Sequence, residues 1–152
     1  MTEARLVKVR SALSRQLSRP GGRSVADAER LADAALQTHR ADAFAELGAL
    51  VAQLETLCAA PPADGAPRVY ALAASLVDLA GFFDTGSFYE AAYSLCDLSD
   101  RTRGTDRWSW NAVEVHVRAL RLLHSGGLGS TGSGGGELVA GLRKVVAAVV
   151  PD

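Results

Sequence analysis

Three histidines, two cysteines and a pair of aspartates on one short stretch are the side chains here whose types could carry chemistry. His39, His116 and His124 have no Cys, Asp or second His at a spacing that makes a metal-ligand set. Cys58 and Cys96 both fall inside apolar helical patterns, where a free thiol behaves as a small hydrophobe. Asp97 and Asp100 stand three apart beside Arg101 and read as surface charges. No Gly-x-Ser-x-Gly elbow occurs. The glycines after Ser125 follow a helix and lack the Lys-Ser/Thr ending of a phosphate loop. No metal or cofactor is expected, and the chain reads as a non-enzyme. His39 is the exception to weigh. Counting helical turns from Val25 places it near the centre of an apolar stripe. It is then either a histidine at a helix–helix seam, including one between two copies, or a phosphoacceptor or pH-sensitive contact. His116 sits between inward valines and suits packing or capping. His124 closes its helix and, protonated, would favour the negative end of the dipole.

The elements that must position these groups are all helical. Leu6, Val9, Leu13 and Leu17 predict a basic helix over 4–17, stopped by Pro20-Gly21-Gly22. Ser24 is the expected N-cap of the next helix, with Asp27 favouring its positive end. From Val25 to Cys58 no proline intervenes. The second half of that run carries the apolar stripe Ala43, Leu47, Leu50, Val51, Leu54, Leu57 and Cys58, whereas the first half is mostly alanine. Such a helix could pair with the first one or with a second copy of the chain, a homodimer. Further core helices are expected over 68–83, 87–103 and 107–124. The 68–83 helix is apolar enough for a bundle interior, and Ser87 with Glu90 is expected to form a capping box. Trp108 and Trp110 open the 107–124 helix and are expected to cover one end of the bundle. A glycine-rich linker over 125–136 then tethers a helix from Glu137 to Val149, with Leu138, Leu142, Val145, Val146 and Val149 on one face.

The expected fold is therefore an all-α, antiparallel helical bundle. A basic N-terminal segment (1–23) precedes the bundle (24–124), and a linker (125–136) and an amphipathic C-terminal helix (137–152) follow it. With 152 residues, 48% of them hydrophobic, one buried core is within reach and two sizeable ones are not. The net charge of -1 conceals an asymmetry: residues 1–23 hold six basic side chains against Glu3 alone. A basic arm could meet nucleic acid, an anionic membrane or an acidic protein face. The plainer reading is a solvated helix face, so nucleic acid is not an expected partner. Two unpaired cysteines suit a reducing compartment. No apolar run approaches the roughly 20 residues needed to span a bilayer. A cytoplasmic location is expected.

The stretch YALAASLVDLAGFFDTGSFYEAAYSLCDLSDR, with WNAVEVHVRALRLL after it, resembles the core of a histidine phosphotransfer (Hpt) domain. Those domains are four-helix bundles around a His-x-Leu-Lys-Gly pattern. The matching residues here are Val77, Asp78, Leu79, Ala80 and Gly81, so Leu79 and Gly81 fit. Val77 stands in the phosphoacceptor position and Ala80 in that of the lysine. Phosphotransfer needs an imidazole nucleophile and a nearby cation, and neither residue supplies one. The resemblance implies a bundle that keeps the shape without the chemistry, docking a response-regulator receiver domain or a histidine kinase. The partner-binding residues it implies are Val77, Asp78, Ala80, Gly81, Asp84 and Glu90. The run RLVKVRSALSRQLSRPGGRSVADAERLADAAL is similar to the start of CheE-like proteins of alphaproteobacterial chemotaxis clusters. Together these imply a non-catalytic adaptor in two-component signalling. The alternatives are an active phosphotransfer protein using His39 and a homo-oligomeric helical scaffold.

Overall fold

The computed structural model describes residues 24–127 and 133–150. The expected basic helix over 4–17, its Pro-Gly-Gly stop and the middle of the glycine-rich segment lie outside them. The chain divides into two compact units, Met1–His39 and Arg40–Asp152. Among the described residues there are five helices and no strand: α1 (Val25–Ala59), α2 (Gly65–Gly81), α3 (Ser87–Thr102), α4 (Trp110–Ser125) and α5 (Ser133–Val149). No described helix is long and apolar enough to cross a membrane.

In the first unit, Ser24 caps α1 as its residue type requires. Its Oγ accepts from the Asp27 N–H at 3.1 Å, and the Asp27 carboxylate accepts from the Ser24 N–H at 3.3 Å. These bonds from Ser24, with Arg30 adding to them, hold the Asp27 carboxyl below its usual range. Residues 31–39 are exposed throughout, His39 included. No described residue of its own chain covers His39, and a seam between two copies is the form of that reading its exposure suits.

The second unit is built as hydrophobic periodicity dictates. α1 contributes Leu47, Leu50, Val51, Leu54 and Leu57, and these join Val69, Leu76, Phe88, Leu95, Val113, Leu120 and Leu142 in one core. α2 buries a single face, with Val69, Ala73, Leu76 and Ala80 fully enclosed. Ala71, Ser75 and Asp78 face outward, so the interior position expected from its composition is not what this helix takes. Alanine is apolar but small, and its exposure costs little. α3 is the central helix and packs on α2, α4 and α5. Its buried Ser99 and Thr102 hydroxyls donate to the Leu95 and Leu98 carbonyls at 2.7 Å each, so neither is left unsatisfied.

Three helix starts differ from expectation, and the first is that of α2, which begins at Gly65 rather than 68. α4 begins at Trp110 rather than 107, because the Ser109 hydroxyl accepts from the Ala112 N–H at 3.3 Å and fixes the N-terminus there. Trp108 and Trp110 meet edge to face with ring centroids 5.4 Å apart. A Cβ on Gly65 would stand 2.5 Å from Trp110 Cζ2, so only glycine lets the indole cover the start of α2. α5 begins at Ser133, inside the expected linker. A Cβ on Gly135 would lie 2.6 Å from Ser87 Oγ, so a bare glycine backbone lets the first turn of α5 rest on the start of α3. The buried face of α5 is Val139, Leu142 and Val146, with Val150 just beyond, and it docks on its own bundle. Leu138, Val145 and Val149 flank that face, half-buried.

Candidate functional site

The polar groups that meet in this fold come from the α2–α3 corner and from the faces where α3 meets α4 and α5. At the corner, Gly86 adopts φ 50°, a left-handed conformation that favours glycine. The buried Thr85 hydroxyl donates to the Ala80 carbonyl at 3.2 Å and ties the turn to the end of α2. The Phe83 N–H reaches the same carbonyl at 3.3 Å. The expected capping box from Ser87 to Glu90 does not form. Gly86 occupies the N-cap position and no side chain caps it. Ser87 is instead taken up beside Gly135, and Glu90 turns toward Arg143 of α5 at 3.6 Å.

The corner encloses a concavity of about 350 Å³ whose lining includes Ala80, Gly81, Asp84, Gly86, Tyr89 and Glu90. Four of the residues singled out from sequence, Ala80, Gly81, Asp84 and Glu90, are thus brought together. Val77 and Asp78 are not among the residues lining it. Val77 is half-buried against the core, and Asp78 is exposed further back along α2. Ala80, in the position that the Hpt pattern gives to a phosphate-assisting lysine, is fully buried. Phe82, between two residues of the concavity, is 84% exposed. Tyr89 and Tyr93 are also exposed, with centroids 6.4 Å apart one turn from each other.

A second concavity, about 260 Å³, runs between α3 and α5. Tyr89, Glu90, Tyr93, Ser94 and Asp97 form one wall, and Arg143 and Val146 the other. The two concavities share Tyr89 and Glu90. Ser94 is a buried residue on the second one, and its Oγ lies 3.0 Å from Nε2 of His116, which has no exposed surface. Nδ1 of the same ring lies 2.8 Å from the Ala112 carbonyl. A carbonyl only accepts, so Nδ1 carries the proton and Nε2 accepts from the Ser94 hydroxyl. Burial pushes the His116 pKa down, against a smaller upward effect of the Ala112 carbonyl, and keeps the ring neutral.

The other titratable groups have structural surroundings. His124 does not cap its own helix. Its Nε2 donates to the Phe44 carbonyl at 2.9 Å while the ring stacks on Phe44. Glu55 accepts two hydrogen bonds from Arg121, one at 2.8 Å, and these bonds hold its carboxyl below the usual range. Burial raises both thiols, Cys58 and Cys96, and nearby carboxylates add to it, which leaves them protonated and poor nucleophiles. No cluster of His, Cys, Asp and Glu suited to a metal occurs among the described residues.

Sequence reasoning passed over Phe82, Tyr89, Tyr93, Ser94 and Arg143. The signal was present for two of them: Tyr89 and Tyr93, with Asp97 after them, recur every fourth residue and mark one outward strip of α3. Nothing in the spacing connects Ser94 to His116, 22 positions on. No protein-family model matches the chain, and no curated protein or solved structure is significantly similar to it. The likeness to Hpt and CheE-like proteins accordingly rests on the sequence pattern alone.

Proposed function

We propose that this chain is a helical protein-binding module that docks a partner on the α2–α3 corner and acts as a non-catalytic adaptor. One observation carries the reading: an almost fully exposed Phe82 stands beside a walled concavity, on a turn fixed by Thr85 and Gly86. An exposed aromatic on a rigid support is the kind of anchor that dominates protein interfaces. The partner class we propose, a receiver domain or histidine kinase of two-component signalling, is supported by the sequence pattern around Val77–Gly81. The valine at position 77 and the enclosed Ala80 argue against phosphate transfer at that point.

Affinity capture from host lysate, repeated with Phe82→Ala, tests the reading. A receiver or kinase retained by the native chain and lost with the variant is the expected result. Retention of the same partner by both would place the interface elsewhere. Incubation with an autophosphorylated kinase tests the adaptor role: a phosphohistidine at His39 would replace it with active phosphotransfer.

A second reading has its own observation. Val25, Leu31 and Leu36 are each more than half exposed on α1, which suits pairing of that helix with a second copy. Light scattering that gives a monomer at every concentration would remove this reading.

A further inference from the structure

We propose that the exposed face of α1 over Val25–Leu36 is covered by the chain's own N-terminal segment, residues 4–17, lying back antiparallel along it. That gives the face an occupant other than a second copy, and it is independent of the docking reading of the α2–α3 corner.

The face is apolar and uncovered. Residues 28–42 are exposed throughout. Val25 and Leu36, at its two ends, are 65% and 62% exposed. Ala28 and Ala32 stand between them at three- and four-residue spacings, so the four share one side of the helix. A helix draws most of its stability from packing such a side, not from propensity.

Residues 4–17, which lie outside the described residues, match that side position by position in sequence. Leu17 follows Leu6 by eleven positions, as Leu36 follows Val25, and Val9 and Leu13 fall between at the same three- and four-residue spacings. Only Ser18 to Ser24 join the two stretches, with Pro20-Gly21-Gly22 to turn the chain. So short a connection sets neighbouring helices antiparallel. In that register Leu17 meets Val25, Leu13 meets Ala28, Val9 meets Ala32 and Leu6 meets Leu36. The two alanines stand opposite the inner pair of larger side chains, which lets the helices approach closely.

Charge favours the same occupant. Residues 1–23 carry six basic side chains against Glu3 alone. On α1, Asp27 is paired with Arg30, whereas Glu29 and Asp33 have no ion pair among the described residues. Arg10 follows Val9 by one position as Asp33 follows Ala32, which puts the two on one flank of the antiparallel pair. A second copy of Val25–Leu36 offers Arg30 as its one basic side chain, and Asp27 already holds it.

Paired cysteines in the full chain test the proposal. Leu6→Cys with Leu36→Cys is in register, whereas Leu6→Cys with Val25→Cys is eleven positions out of it. In dilute protein under glutathione, the in-register pair is expected to close within one chain about tenfold faster, because contact raises its effective concentration. A flexible tether alone would close the pair nearer in sequence, Leu6 and Val25, at least as fast. Peptide mass spectrometry separates these bonds from any made to Cys58 or Cys96. Equal rates, or a faster out-of-register pair, would overturn the proposal. A disulfide joining two chains would overturn it in favour of a second copy. A second measurement leaves the cysteines native: Leu13→Asp should quicken hydrogen exchange of the 25–36 amides about tenfold and leave those of 47–57 unchanged. No change over 25–36 would equally overturn it.

Discussion

Replacing His116 by leucine should flatten the pH dependence of stability between pH 6.5, the ordinary histidine value, and about pH 5, the start of the carboxylate range. The ring is fully enclosed, and its two nitrogens are satisfied only by Ser94 and the Ala112 carbonyl. No carboxylate contributes to its lowered pKa, which comes from burial. The sign follows from linkage. Above 6.5 the residue is neutral in both folded and unfolded chains, and no stability depends on pH. Below it the unfolded chain takes up a proton that the folded one resists. Stability therefore falls as pH drops, by at most about 1.4 kcal/mol per unit for one group, until the lowered folded value is reached. Urea midpoints at several pH values, for native chain and His116→Leu, measure the difference. The variant should also lose stability at every pH, because the Ser94 hydroxyl is left without its acceptor, a cost of about 1–3 kcal/mol. An identical slope in the two proteins would refute the reasoning and mean that His116 is protonated as easily folded as unfolded.

Two further outcomes follow from packing. Gly65→Ala should cost about 1–3 kcal/mol, as overpacking does, because the new methyl would overlap the Trp110 ring; thermal unfolding with tryptophan fluorescence reads both the loss and the indole displacement. Leu142→Ala, at a side chain only 2% exposed, should cost about 2–5 kcal/mol if α5 is an integral part of the core. A loss within error in denaturant titration would mean that α5 adds little to the fold.

The fold was legible where one physical signal dominated. Leu47, Leu50, Val51, Leu54 and Leu57 recur at three- and four-residue spacings, and all five are buried. The break after Ala59 follows from Pro61 and Pro62. Legibility failed where a neighbour distant in sequence decides the outcome. Gly134 to Gly136 look like linker, yet they are helical because Gly135 has Ser87 to lie against. Ser87 and Glu90 have the spacing of a capping box, but each finds a partner on α5. His39 falls on the stripe by periodicity, but periodicity states which residues share a face and not whether anything covers it. Of the site, the sequence pattern led to Ala80, Gly81, Asp84 and Glu90, which share one concavity. The four-residue spacing of Tyr89 and Tyr93 marked an outward strip, whereas the Ser94–His116 pair was not legible, since it depends on which helix α3 meets.

The most direct test of the docking face is NMR mapping of the captured partner onto the labelled chain. Shifts concentrated over residues 80–97, with Phe82 and Tyr89 among the largest, are expected. Shifts confined to residues 25–42 or to the outer face of α4 would contradict it, and would move the interface to the exposed stretch of the long helix or away from α3 altogether.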